Sequence, residues 1–113
     1  MRWLWLALLV LAPDSALAEE WTRLDDTGIA AALNDRTLRY DASTIQSFSP
    51  SGATRYVTDR VSNGRWAARG GQYCSVWPPS DTWACYDVEL SDDGAEVRFI
   101  ASDESISQGH YIE

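Results

Sequence analysis

Two cysteines, Cys74 and Cys85, each sit in a run where alternate positions are apolar: Gln72 to Trp77 and Trp83 to Leu90. A period of two marks a half-buried β-strand. Pro78-Pro79-Ser80-Asp81 divides the runs, and prolines that cannot donate to a ladder make it a turn. With Cys74 opposite Cys85 in an antiparallel hairpin, opposed residue numbers keep a constant sum. Tyr73 then faces Tyr86, Ser75 faces Ala84, Val76 faces Trp83 and Trp77 faces Thr82. One face carries Tyr73, Ser75, Trp77, Thr82, Ala84, Tyr86, Val88 and Leu90 and is the predicted core face. The other carries Gln72, Cys74, Val76, Trp83, Cys85, Asp87 and Glu89, polar at one end and apolar near the proline turn. Free thiols or half a metal site are the alternatives to a Cys74–Cys85 disulfide, but zinc needs further close ligands and the chain offers only His110 besides carboxylates.

The amino terminus supplies the compartment in which a disulfide persists. Met1-Arg2 is followed by an uncharged run from Trp3 to Ala12, a break at Pro13-Asp14, and Ala16-Leu17-Ala18 before Glu19-Glu20. A basic start, a short apolar core and small residues at the minus-three and minus-one positions match a secretory signal cleaved after Ala18. Ten apolar residues span about 15 Å as helix against about 30 Å of hydrocarbon, too little for an anchor. No cysteine follows the apolar core to carry a lipid. The expectation is therefore a signal peptide over residues 1–18 and a periplasmic single domain over residues 19–113, with no stable membrane anchoring after cleavage.

That domain keeps eight arginines, no lysine and sixteen carboxylates, so the net charge stays at -8. Such a field repels phosphate backbones and anionic lipid, which argues against nucleic-acid partners. The remaining pattern is mostly β. Asp25, Asp26 or Thr27 caps one short helix whose apolar face is Ile29, Ala30, Leu33 and in part Ala32, with Asn34-Asp35 as its exit. Strands are expected at 37–40, 44–48, 54–60, 65–69, 72–77, 83–90 and 95–101, with a short last one at 109–112. Ser62-Asn63-Gly64 reads as a hairpin turn and Asp92-Asp93-Gly94 as another. Consecutive hairpins leave no room for crossover helices, so the predicted fold is an antiparallel meander of six or seven strands, curled into a half-barrel beside one amino-terminal helix. Its expected core is Leu33, Leu38, Tyr56, Trp66, Tyr73, Trp77, Tyr86, Val88, Val97 and Phe99.

The segments Gly64-Arg65-Trp66, Gly71-Gln72-Tyr73-Cys74-Ser75-Val76-Trp77-Pro78-Pro79-Ser80 and Trp83-Ala84-Cys85-Tyr86-Asp87-Val88 carry a resemblance. The chain resembles a family of small exported alphaproteobacterial proteins of uncharacterised function, over roughly Ala30 to Val97. The resemblance implies a small β-rich periplasmic domain and carries no catalytic residue onto the chain. Ser51-Gly52-Ala53-Thr54-Arg55-Tyr56 is also similar to the segment by which periplasmic inhibitors of C-type lysozyme enter the enzyme's cleft. Here Thr54 is inserted, and the lysine those inhibitors use has no counterpart in residues 19–113.

No constellation for chemistry emerges. His110 has no second histidine, Ser75 has no visible base, and Asp87 and Glu89 fall on the predicted solvent face. Asp92-Asp93-Gly94 lacks the spaced oxygens of a calcium loop, and ten residues between the cysteines do not suit a dithiol exchange site. The expectation is a protein that is not an enzyme, with no cofactor and no metal. Its first expected role is a binding or protein-interaction module for a periplasmic partner, with Val76, Trp77, Pro78, Pro79 and Trp83 as an apolar patch at the hairpin tip. A lipocalin-like cup for a small apolar ligand and an inhibitor of a lysozyme-like cell-wall hydrolase are the alternatives.

Overall fold

The computed structural model describes residues 20–112; the expected signal peptide, residues 1–18, lies outside them. The elements are β1 (Trp21–Arg23), α1 (Asp26–Leu33), β2 (Arg36–Asp41), β3 (Thr44–Phe48), β4 (Ala53–Val57), β5 (Val61–Arg69), β6 (Gln72–Val76), β7 (Ala84–Ser91), β8 (Glu96–Ile100) and β9 (Ile106–Ile112). Every ladder is antiparallel. From β2 to β9 each strand pairs with its sequence neighbour, and β9 returns to pair with β2 through Thr37↔Ile112, Leu38↔Tyr111 and Arg39↔His110. The result is a closed eight-stranded up-and-down barrel, β2 to β9, with β1 added outside the ring.

Closure corrects the expected half-barrel of six or seven strands. The decisive stretch is Ile106–Ile112, longer than the expected strand at 109–112, which pairs with β8 on one edge and β2 on the other. His110 accordingly lies in a ladder between Arg39 and Glu96, not in a frayed terminus. A second correction concerns Ser62-Asn63-Gly64, which lies inside β5; the turn comes earlier, at Thr58–Arg60. Gly64 is needed for close approach rather than for a turn: a Cβ there would stand 2.6 Å from Trp77 Cε3 and 2.7 Å from the Val76 carbonyl oxygen.

Around Cys74 the expected register is present, with Tyr73↔Tyr86, Cys74↔Cys85 and Ser75↔Ala84. The disulfide joins the two strands with Cα atoms 4.0 Å apart. The ladder between β6 and β7 stops at Ser75↔Ala84, so Val76 and Trp77 do not pair with Trp83 and Thr82. At the other end of that ladder, past Tyr86, β7 shares the same edge with β1, through Trp21↔Ser91, Thr22↔Leu90 and Arg23↔Glu89.

The helix closes one end of the barrel. Asp25 caps it, its carboxylate accepting from the Gly28 N–H at 2.8 Å, and Ile29 and Leu33 are fully buried against the ring. Asp26 accepts from the Gly71 N–H at 2.7 Å, and the Tyr111 hydroxyl donates to the Ala32 carbonyl at 2.8 Å, so turn and strand hold the plug on two sides. Beneath it lie Leu38, Phe48, Trp66, Tyr73, Val88, Val97 and Phe99 as one cluster. The turns β2–β3, β4–β5, β6–β7 and β8–β9 gather at the opposite end, as alternation around the ring requires. That end has no helix over it among the described residues.

Candidate ligand cavity

Small and polar side chains leave the interior incompletely filled toward the end away from α1. A cavity of about 570 Å³ opens there, lined by aromatic rings, serines and Gln46. Volumes of this order hold a small organic ligand, within the usual range of about 300–1,000 Å³. Six rings make its wall: Tyr40 on β2, Tyr56 on β4, Tyr73 on β6, Trp77 just beyond β6, Tyr86 on β7 and Phe99 on β8. They contact one another in a continuous series. Trp77 meets Tyr56 edge to face at 6.0 Å, Tyr56 meets Tyr40 at 6.1 Å, and Tyr40 meets Phe99 at 6.3 Å; Phe99 then meets Tyr73 at 5.0 Å and Tyr73 meets Tyr86 at 6.0 Å. Each ring pair adds to its area burial, which fixes the wall before anything binds.

A buried hydrogen-bond cluster forms the floor. The Gln46 amide oxygen accepts from the Tyr40 hydroxyl at 2.8 Å, and its nitrogen donates to Thr54 Oγ1 at 2.8 Å and to the Tyr73 hydroxyl oxygen at 3.1 Å. Thr54 in turn donates to the Ser47 carbonyl at 2.9 Å. Gln46 is thus paired at both ends of its amide, as a buried polar side chain requires. Burial raises the Tyr40 hydroxyl far above the ordinary phenol range, with Tyr73, Tyr56 and Tyr86 adding to the effect. Burial also raises Tyr73, against the opposing hydrogen bonds of Ser75 and Gln46. Both remain neutral hydroxyls at physiological pH.

Other polar groups on the wall are available to a ligand. Trp77 donates its indole N–H to Ser75 Oγ at 3.2 Å, which holds the indole. The hydroxyls of Tyr56 and Tyr86 make no hydrogen bond to the described residues, although both rings line the cavity. Among the described residues no aspartate, glutamate, arginine or histidine lines it. Among the described residues no group of three or more His, Cys, Asp or Glu side chains could hold a metal.

The five residues expected at the hairpin tip separate. Val76 is buried, Trp77 turns inward and lines the cavity, and Pro78 and Pro79 are exposed. Trp83, 37% exposed, lies outside the barrel with the Arg69 guanidinium 4.5 Å from its ring centroid. The Ser51–Tyr56 segment divides likewise: Ser51-Gly52 turns at the helix end, Thr54 is buried, Arg55 points outward and Tyr56 reaches the cavity. Asp87 stays on the outer surface, where Arg23 lies 3.0 Å away and Gln72 donates to it at 3.0 Å.

The missed residues are Tyr40, Gln46, Ser62, Ser107 and Gln108, and Gln46 had a legible signal. Thr44, Gln46 and Phe48 alternate with Ile45 and Ser47, so a face that includes a phenylalanine also carries an amide. A polar residue at an inward position marks either a network or a cavity. Here it belongs to both. Compared with known proteins, the chain matches no family model, no curated protein and no solved structure.

Proposed function

We propose that this protein is a small lipocalin-like carrier, binding one compact, largely apolar molecule inside the barrel without chemical change. The observation that carries the reading is the cavity of about 570 Å³ within a closed ring of strands, walled by six aromatic side chains and floored by a satisfied amide cluster. A core meant only to be filled would not keep this volume, since interiors pack at near-crystalline density and unfilled space costs stability. The strand ring and the α1 plug make the site rigid, so little ordering entropy opposes capture.

Binding of the uncharged fluorophore N-phenyl-1-naphthylamine to residues 19–113 tests this. The wild-type protein is expected to bind it saturably at one site, and Ser75→Trp, which fills the cavity, is expected to lose at least about tenfold in affinity while keeping its β circular dichroism. Equal binding by both proteins, or none by the wild type, would refute the carrier reading.

The interaction-module reading rests on less, because the tip residues do not form one apolar surface: Trp77 lines the cavity and Val76 is buried.

A further inference from the structure

The electrical character of the cavity restricts what it accepts. Among the described residues its wall bears no ionised side chain, so an anion entering it would lose water and gain no counter-charge. The open end reinforces this. The four turns and the strand ends beside them carry Asp41, Asp59, Asp81, Asp103 and Glu104, against Arg60 and the Arg39 guanidinium, which donates to the Ala42 carbonyl at 3.2 Å. Asp41 accepts from the Ser43 N–H at 2.9 Å, and Asp103 from the Ser105 N–H at 3.0 Å and its hydroxyl at 2.7 Å. Those bonds hold both carboxyls below the usual range, which favours their charged form. A cation approaching the opening is drawn in, and an anion is repelled.

Inside, the rings replace the water that a cation sheds. An aromatic face carries the negative end of the ring quadrupole, and an ammonium stripped of water among several rings gains most from it. A primary ammonium is a compact, strongly hydrated charge with three N–H groups to satisfy, so stripping its water costs the most. A quaternary ammonium needs no acceptor, and the one N–H of a tertiary ammonium has the unpaired hydroxyl oxygen of Tyr56 or Tyr86. We propose that the cavity selects organic cations, a quaternary or tertiary ammonium on an apolar body, with the charged head held among Tyr40, Tyr56, Tyr73, Trp77, Tyr86 and Phe99. This rests on the carrier reading and names its ligand class.

Three compounds of one shape and different charge test it: 1-naphthylmethyl-trimethylammonium, 1-naphthylmethanol and 1-naphthylacetate, titrated calorimetrically into residues 19–113. The ammonium is expected to bind about tenfold or more tighter than the alcohol, and the carboxylate weakest of the three. Tyr56→Leu, which keeps apolar area but removes a ring, is expected to weaken the ammonium by a larger factor than the alcohol. Asp59→Asn with Asp81→Asn is expected to weaken the ammonium and flatten its salt dependence. An alcohol that binds as tightly as the ammonium, or a carboxylate that binds tighter than the alcohol, would overturn the cation assignment and leave the carrier reading intact. Failure of all three while N-phenyl-1-naphthylamine still binds would overturn the cation assignment alone, and failure of that fluorophore as well would overturn both.

Discussion

At the scale of single residues, the cavity depends on side chains that are small or absent. Trp77 follows β6 and lies over Gly64 of β5, where a methyl group would collide with the indole and with the Val76 carbonyl. Gly64→Ala is therefore expected to destabilise the domain by about 1–3 kcal/mol, as overpacking does, and to weaken probe binding as the indole shifts. Urea unfolding and the fluorophore titration check the two parts separately. The tyrosines give a second expectation. Tyr40, Tyr73 and Tyr111 all have hydroxyls raised by burial. A folded pKa above the unfolded value near 10 means that the native state holds its protons longer. The stability from these groups is whole below pH 10 and is lost as pH rises beyond it. The tyrosinate absorbance of these three near 295 nm is expected to appear together with loss of β circular dichroism; its complete appearance in a still-folded protein would contradict it.

At the scale of elements, the hairpin of β6 and β7 was the most legible part of the chain. Its register follows from arithmetic once the cysteines oppose one another, and the pairs Tyr73↔Tyr86 and Ser75↔Ala84 are those expected. The helix was legible too, because Asp25 and the Ile29–Leu33 spacing are local signals. The hidden parts depend on distant partners. Gly64 resembles a turn glycine until Trp77 is laid over it, and Ile106–Ile112 has weak alternation because Gly109 gives its inward space to Tyr40, 3.1 Å from a would-be Cβ. The β6–β7 ladder spans only three residue pairs, so the disulfide carries much of the connection there. Replacing Cys74 and Cys85 together with serine is expected to cost about 3 kcal/mol, read as a lower urea midpoint. A midpoint unmoved by the double substitution would show that the ladder holds without the crosslink.

At the scale of the whole molecule, closure was the step that local patterns did not reveal. Each hairpin could be read in turn, but nothing within β2 or β9 states that one will meet the other across the ring. Once they meet, the sheet has no long free edge in the ring, one end is filled by α1, and the aromatic residues that looked sufficient to fill a core instead surround a space. Tyr56, Trp77 and Tyr86 were expected inward and are inward, yet as a wall. The central claim is that this wall receives the ligand. Nuclear Overhauser contacts between bound N-phenyl-1-naphthylamine and the protein's ring protons test it most directly. Contacts to Tyr56, Trp77 and Tyr86 with none to Trp83 are predicted; contacts confined to Trp83 and the adjoining prolines would place binding outside the barrel and contradict the account.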